Sequence, residues 1–243
     1  MPDQTSSLIV ALDVPTIDKA VAIVTELSPF VSTFKVGLEL TSAEGLPRVV
    51  WAIQNAGGKV IVDLKLHDIP NTVARASRAI AALQPKAFTV HTSGGPDMIR
   101  AAVDNRGDAM VLGITVLTSF GNKLSGAVYG RSAWSKVLQF ARMLLDNGAH
   151  GIVCSPREVQ LLRSDSEFDG LTIVTPGVRP EWASVGDQVR TATPYEAMRN
   201  GASAVVIGRP ITNPPEGMSR LDAAQRILAE ITEGQLAAPR TRL

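Results

Sequence analysis

The stretch VDLKLHDIPNTV, residues 62–73, places Asp63, Lys65 and Asp68 directly behind the apolar run Val60, Ile61 and Val62. Side chains alternate across a strand, so Asp63 and Lys65 are expected on one face and Val62 and Leu64 on the other. Lys35, in TFKVG, can then lie beside Asp63 from a neighbouring strand. Carboxylates and ammoniums that alternate in a partly dry site hold one another ionised. A lysine so placed suits proton donation better than base or Schiff-base chemistry, which needs a lowered pKa. The competing reading is a solvated rim ion pair, worth about 0–1 kcal/mol. DIPNTV then starts a helix, with Pro70 in its first turn and Asn71 or Thr72 available as a side-chain cap. His67 reads as an ordinary hydrogen-bonded loop histidine.

A second group of residues lies near the C-terminus. ASAVVIGRPI, residues 202–211, ends an apolar run in Gly208, Arg209 and Pro210. Backbone N–H groups at Gly208 and the Arg209 guanidinium suit a phosphate oxyanion. The preceding GVRPEWASVGDQVRTATP is long enough to fold over such a site as a lid and to supply Arg179 or Gln188. GxGxxG and GxxxxGK[ST] are both absent, and a rim salt bridge remains the plain alternative for Arg209. The three histidines form no HxH or HExxH pattern, so no metal is expected.

Both groups need a scaffold. β-Branched runs at Leu8–Leu12, Thr33–Val36, Lys59–Leu64, Ala87–His91, Met110–Val116, Gly151–Cys154, Leu171–Thr175 and Ala204–Ile207 predict strands. Amphipathic segments at Ile17–Leu27, Leu46–Asn55, Val73–Leu83, Pro96–Asn105, Ala133–Asp146, Glu158–Arg163, Tyr195–Asn200 and Leu221–Thr232 predict helices between them. Glycines in NAGGK, NRGDA, DNGAHG and RNGASA supply helix stops. This rhythm predicts a single-domain α/β fold over residues 1–243, a (β/α)8 barrel with its core at about 8–232. An open doubly wound sheet has the same periodicity. The tail AAPRTRL reads as frayed. Barrel sites gather at the C-terminal strand ends. Asp13, Lys35, Asp63 with Lys65, His91, Thr118 with Ser119, Arg179, and Gly208 with Arg209 all fall there. Only the sixth strand end, CSPRE, yields no reading.

Composition narrows the function classes. The chain has 243 residues and a formal net charge of +1. It carries no long run of like charge, which argues against nucleic-acid or membrane-surface binding. Cys154 is the sole cysteine, which excludes an intramolecular disulfide, and it reads as a small buried hydrophobe. MPDQTSSLIVALDVP lacks a basic n-region and a long apolar run, so a cytoplasmic protein is expected.

ALDVP, KVG, VDLKLHDIPNTV, LTS, TPGVRP, GDQ and IGRPI occur in that order from residue 11 to residue 211. Together they resemble the bacterial-type orotidine 5′-phosphate decarboxylase family. The resemblance runs from about residue 8 to 232. It implies a homodimeric (β/α)8 barrel that converts orotidine 5′-phosphate to UMP and CO2 without metal or organic cofactor. It also implies that Lys65 protonates C6 of the pyrimidine, Asp63 faces the substrate carboxylate and Lys35 completes the charged network. Asp68 and Thr72 match residues that enter the partner subunit's site. Asp13 matches a ribose contact, Thr118 a pyrimidine-side contact, and Arg179, Gln188, Gly208 and Arg209 the phosphate and lid positions. DxKxxD by itself is shared with Mg²⁺-dependent keto-sugar-phosphate decarboxylases and hexulose-phosphate synthases. A non-catalytic phosphoribosyl-ligand binder is the third reading.

Overall fold

Each predicted strand forms in the computed structural model, which describes residues 7–183 and 192–238. The strands are β1 (Leu8–Ala11), β2 (Thr33–Val36), β3 (Lys59–Leu66), β4 (Ala87–His91), β5 (Met110–Ile114), β6 (Gly151–Val153), β7 (Thr172–Thr175) and β8 (Ala204–Ile207). They pair in chain order, all parallel, and β8 returns to β1 with Ile9 opposite Val206. The sheet therefore closes, and the open-sheet alternative falls.

The helices are α1 (Ile17–Leu27), α2 (Leu38–Glu44), α3 (Leu46–Asn55), α4 (Pro70–Ala81), α5 (Pro96–Asp104), α6 (Asn122–Tyr129), α7 (Ala133–Asp146), α8 (Val159–Arg163), α9 (Pro194–Arg199), α10 (Arg209–Thr212) and α11 (Arg220–Ala237). The short helices α2, α6 and α10 were not anticipated. Each is short and lies in a βα connection. Helix α4 begins at Pro70, ahead of the predicted Val73, and neither Asn71 nor Thr72 caps it. Ile69 is its N-cap residue and offers no side-chain bond, while Asp68 Oδ1 accepts the Ile69 N–H at 2.6 Å. Helix α11 continues to Ala237, so the front of AAPRTRL is helical. The rest of that tail, residues 239–243, lies outside the described residues. Glycine stops hold where expected: Gly148 closes α7 at φ 73° and Gly201 closes α9 at φ 100°.

Alternation along the strands sorts the core into two layers. Leu8, Val10, Phe34, Val36, Val60, Val62, Phe88 and Val90 point outward and are buried against the helices. Burying a side chain of this size is worth about 1.5–3 kcal/mol. Ile9, Ile61, Ala87, Leu112, Val174 and Ala204 point inward and fill the barrel axis. Further along the inward-facing rows of the first three strands the residue types turn charged, at Asp13, Lys35 and Asp63.

Candidate active site

The inward row of β1 ends in Asp13, that of β2 in Lys35 and that of β3 in Asp63, while β4 contributes Thr89. They line a cavity of about 490 Å³ at the C-terminal end of the barrel, a volume typical of a small-ligand site. Ile9, Ile61, Leu112 and Val174 line its inner end. The same four also line a smaller space of about 230 Å³ at the opposite end of the barrel.

Asp63 is the centre of the charged wall. Its Oδ2 lies 3.0 Å from Lys65 Nζ and 3.4 Å from Lys35 Nζ. Its Oδ1 accepts the Thr89 hydroxyl at 2.9 Å. Lys35 Nζ also donates to Asp13 Oδ1 at 3.1 Å, which gives the run Asp13–Lys35–Asp63–Lys65. The Asp63 and Lys35 side chains are 12% and 13% exposed, so this is no rim pair. Burial pushes the Asp63 carboxyl up, but Lys35, Lys65 and the hydrogen bonds from Lys65 and Thr89 outweigh it and hold the pKa below the ordinary 3.8. Burial likewise works against the Lys35 ammonium, yet Asp63 and Asp13 hold its pKa above the ordinary 10.5. Both shifts favour the charged form, so Asp63 and Lys35 are ionised at neutral pH.

Lys65 reaches Asp63 by a route that plain alternation does not describe. Its backbone is left-handed, at φ 54°, and the β3–β4 register breaks between Val62 and Leu66. Such a backbone is uncommon for a residue that carries a side chain. Gly37 explains the end of the KVG motif: a Cβ there would lie 3.1 Å from Lys35 Nζ and 3.2 Å from Asp13 Oδ1.

Gly208 and Arg209 line the same cavity where β8 leads into α10, and Thr118 lines it after β5. Arg179 lines it after β7, is 8% exposed and donates from Nη1 to the Val178 carbonyl at 3.0 Å. The base of the loop after β7 is closed by the Arg179 N–H donating to the Ala192 carbonyl at 2.9 Å. Gln188 lies outside the described residues. Asp68 and Thr72 are exposed and do not line the cavity of their own chain.

Among residues not anticipated, Thr89 and Glu39 also line the cavity. Thr89 sits inside FTV, where a β-branched residue reads as ordinary strand, so nothing in the sequence marks it. Cys154 is buried, as expected, and borders the cavity. The His91 ring sits 5.2 Å from that of His67, and its Nδ1 is buried without a hydrogen-bond partner among the described residues. Burial, then His67 and the Lys65 ammonium, pull His91 below the ordinary imidazole value of 6.5. Among the described residues no three His, Cys, Asp or Glu side chains converge to hold a metal ion, and no helix is long and apolar enough to cross a membrane.

Comparison with known proteins places this barrel. The sequence matches the model of the orotidine 5′-phosphate decarboxylase / HUMPS family over residues 6–223. It is 46% identical over 209 residues to the orotidine 5′-phosphate decarboxylase of Thermobifida fusca (strain YX), covering 85% of this chain and 89% of that one. The Heliobacterium modesticaldum protein of the same name is 43% identical over 238 residues, covering 93% and 96%. The crystal structure of orotidine 5′-phosphate decarboxylase from Lactobacillus acidophilus superimposes with a TM-score of 0.80 at 34% identity, covering 93% of this chain and 99% of that one. Because the matched region takes in all eight strands and the charged residues at their ends, the chain belongs to the orotidine 5′-phosphate decarboxylase / HUMPS family.

Proposed function

We propose that the chain decarboxylates orotidine 5′-phosphate to UMP and CO2, a step of de novo pyrimidine biosynthesis in the cytoplasm, using neither metal nor organic cofactor. The observation that carries this reading is Asp63 Oδ2 held between the Lys35 and Lys65 ammoniums on the cavity wall. When the bond between C6 and the carboxylate breaks, its electron pair stays at C6 as a vinylic carbanion. Lys65 Nζ gives that carbon a proton as CO2 leaves, then regains one from solvent. A charge array fixed beforehand avoids reorganisation in the transition state, which is where preorganised electrostatics act most strongly. The ionised Asp63 faces the substrate carboxylate and raises the energy of the ground state relative to the transition state.

The remaining residues bind and orient. Asp13 contacts the ribose and Thr118 the pyrimidine side. Arg179, Gln188, Gly208 and Arg209 hold the phosphate and the loop after β7. Binding energy from the remote phosphate then lowers the barrier at the ring through loop closure. Asp68 and Thr72 serve the site of a second copy in a two-fold dimer, and their exposure outside their own cavity supports this.

The test is loss of orotidine 5′-phosphate absorbance with the protein held in EDTA. Full turnover under chelation is expected. Activity that appears only after Mg²⁺ is restored, and only on a keto-sugar phosphate, would replace this reading with the related sugar-phosphate chemistry.

A further inference from the structure

We propose that Thr89 is a positioning residue that aims the catalytic lysine, an inference that rests on Lys65 as the proton donor. Val62 is opposite Phe88 and Leu66 is opposite Val90. Between those two rungs β3 carries Asp63, Leu64 and Lys65, whereas β4 carries only Thr89. The bulge is where the two charges leave the regular ladder, and Thr89 is the one side chain of β4 opposite them.

The hydroxyl of Thr89 is used in both directions. The Lys65 backbone N–H can only donate, and it meets Thr89 Oγ1 at 2.9 Å. The ionised Asp63 carboxylate can only accept, and its Oδ1 lies 2.9 Å from the same oxygen. One O–H therefore ties the carboxylate to the backbone of the residue whose ammonium that carboxylate holds. Removing it leaves the Lys65 N–H, in a backbone at φ 54°, with no strand to pair with. An unpaired, part-buried donor and an uncommon backbone both favour relaxation toward ordinary strand geometry. Such a change would move Nζ off Asp63.

Two substitutions separate this role from simple packing. Thr89→Val keeps shape and burial but loses both hydrogen bonds, while Thr89→Ser keeps the hydroxyl and loses only the methyl group. Thr89→Val is expected to lower kcat for orotidine 5′-phosphate by about 10²-fold, the scale of a misaimed reacting group. Its affinity for UMP should stay within about threefold, because the phosphate contacts are untouched. Thr89→Ser should recover most of the lost kcat. A folded Thr89→Val protein with near wild-type kcat overturns the proposal, and so does loss of kcat, UMP affinity and thermal stability together without rescue by serine. Should the wild-type protein show no turnover, the decarboxylase reading fails, and Thr89 is judged by a crystal structure of Thr89→Val. Lys65 still left-handed with Nζ on Asp63 would then overturn the positioning role, and Lys65 relaxed away from Asp63 would uphold it.

Discussion

Lys65 Nζ lies 3.0 Å from the carboxylate of Asp63, two positions earlier on the same strand, and makes that contact from a left-handed backbone. A flat strand would also place the two side chains on one face, but it would not bring their charged ends to one point with Lys35 on the other side. The bulge in β3 therefore converts a sequence pattern into an ion array.

Lys65→Ala should reduce turnover of orotidine 5′-phosphate by about 10²–10⁴-fold or more, the usual scale for a lost general acid. The side chain is about a third exposed and lies outside the packed core, so the thermal midpoint should change little. Single-turnover assays and a melting curve on the same sample check both. Turnover near that of the wild type would remove Lys65 from the mechanism.

Asp63→Asn should alter the pH dependence of stability. The Asp63 carboxyl is held below 3.8 in the fold, so its contribution is present above the unfolded value and disappears as pH falls through the folded one. Lys35 is raised above 10.5, so its contribution is present below that value and disappears as pH rises through its folded one. The gap in melting temperature between wild type and Asp63→Asn should be wide at neutral pH and close in acid below 3.8. Melting curves across the acid range measure it; a constant gap would mean that Asp63 contributes by packing alone.

Arg209→Ala should act mainly on substrate capture. Losing a hydrogen bond to a charged group costs about 1.5–3 kcal/mol, or about 10–10²-fold in kcat/KM. Uridine, which lacks the phosphate, should bind the wild type and the variant equally. A variant that discriminates UMP from uridine as well as the wild type does would dissociate Arg209 from the phosphate.

Mixing Lys65→Ala with Asp68→Ala subunits tests the shared site. In a two-fold dimer, random exchange makes half of the dimers mixed, and one of the two sites in each carries both native residues. Recovery of about a quarter of wild-type activity is the expected outcome. Subunit exchange verified by mass, with no recovered activity, would confine each site to one chain.

How far the sequence could be read depended on the length scale of each signal. Helices α1, α3 and α7 begin and end at their predicted residues, because each is long and carries a clear apolar stripe. Leu38–Glu44 and Asn122–Tyr129 are too short to show a period; Gly37 and Gly45 bracket the first, and Ser125 and Gly126 interrupt the second. Asp13, Lys35, Asp63 and Lys65 were legible because charges at the end of apolar strands are conspicuous. The bulge that aims Lys65 was not, since β3 contains no Gly or Pro to announce it. Barrel closure was equally hidden: it depends on the pairing of β1 with β8, nearly two hundred residues apart, and no local pattern encodes it.

Ile9, Ile61, Leu112 and Val174 border both the charged cavity and the smaller space at the opposite end of the barrel. This aliphatic septum acts as electrical insulation. Shortening one member, as in Ile61→Ala, should thin this layer and let water approach the charges from below. The higher local dielectric would then weaken the attraction between Asp63 and both ammoniums. Four residues without charge thus limit how strongly the charged ones can act.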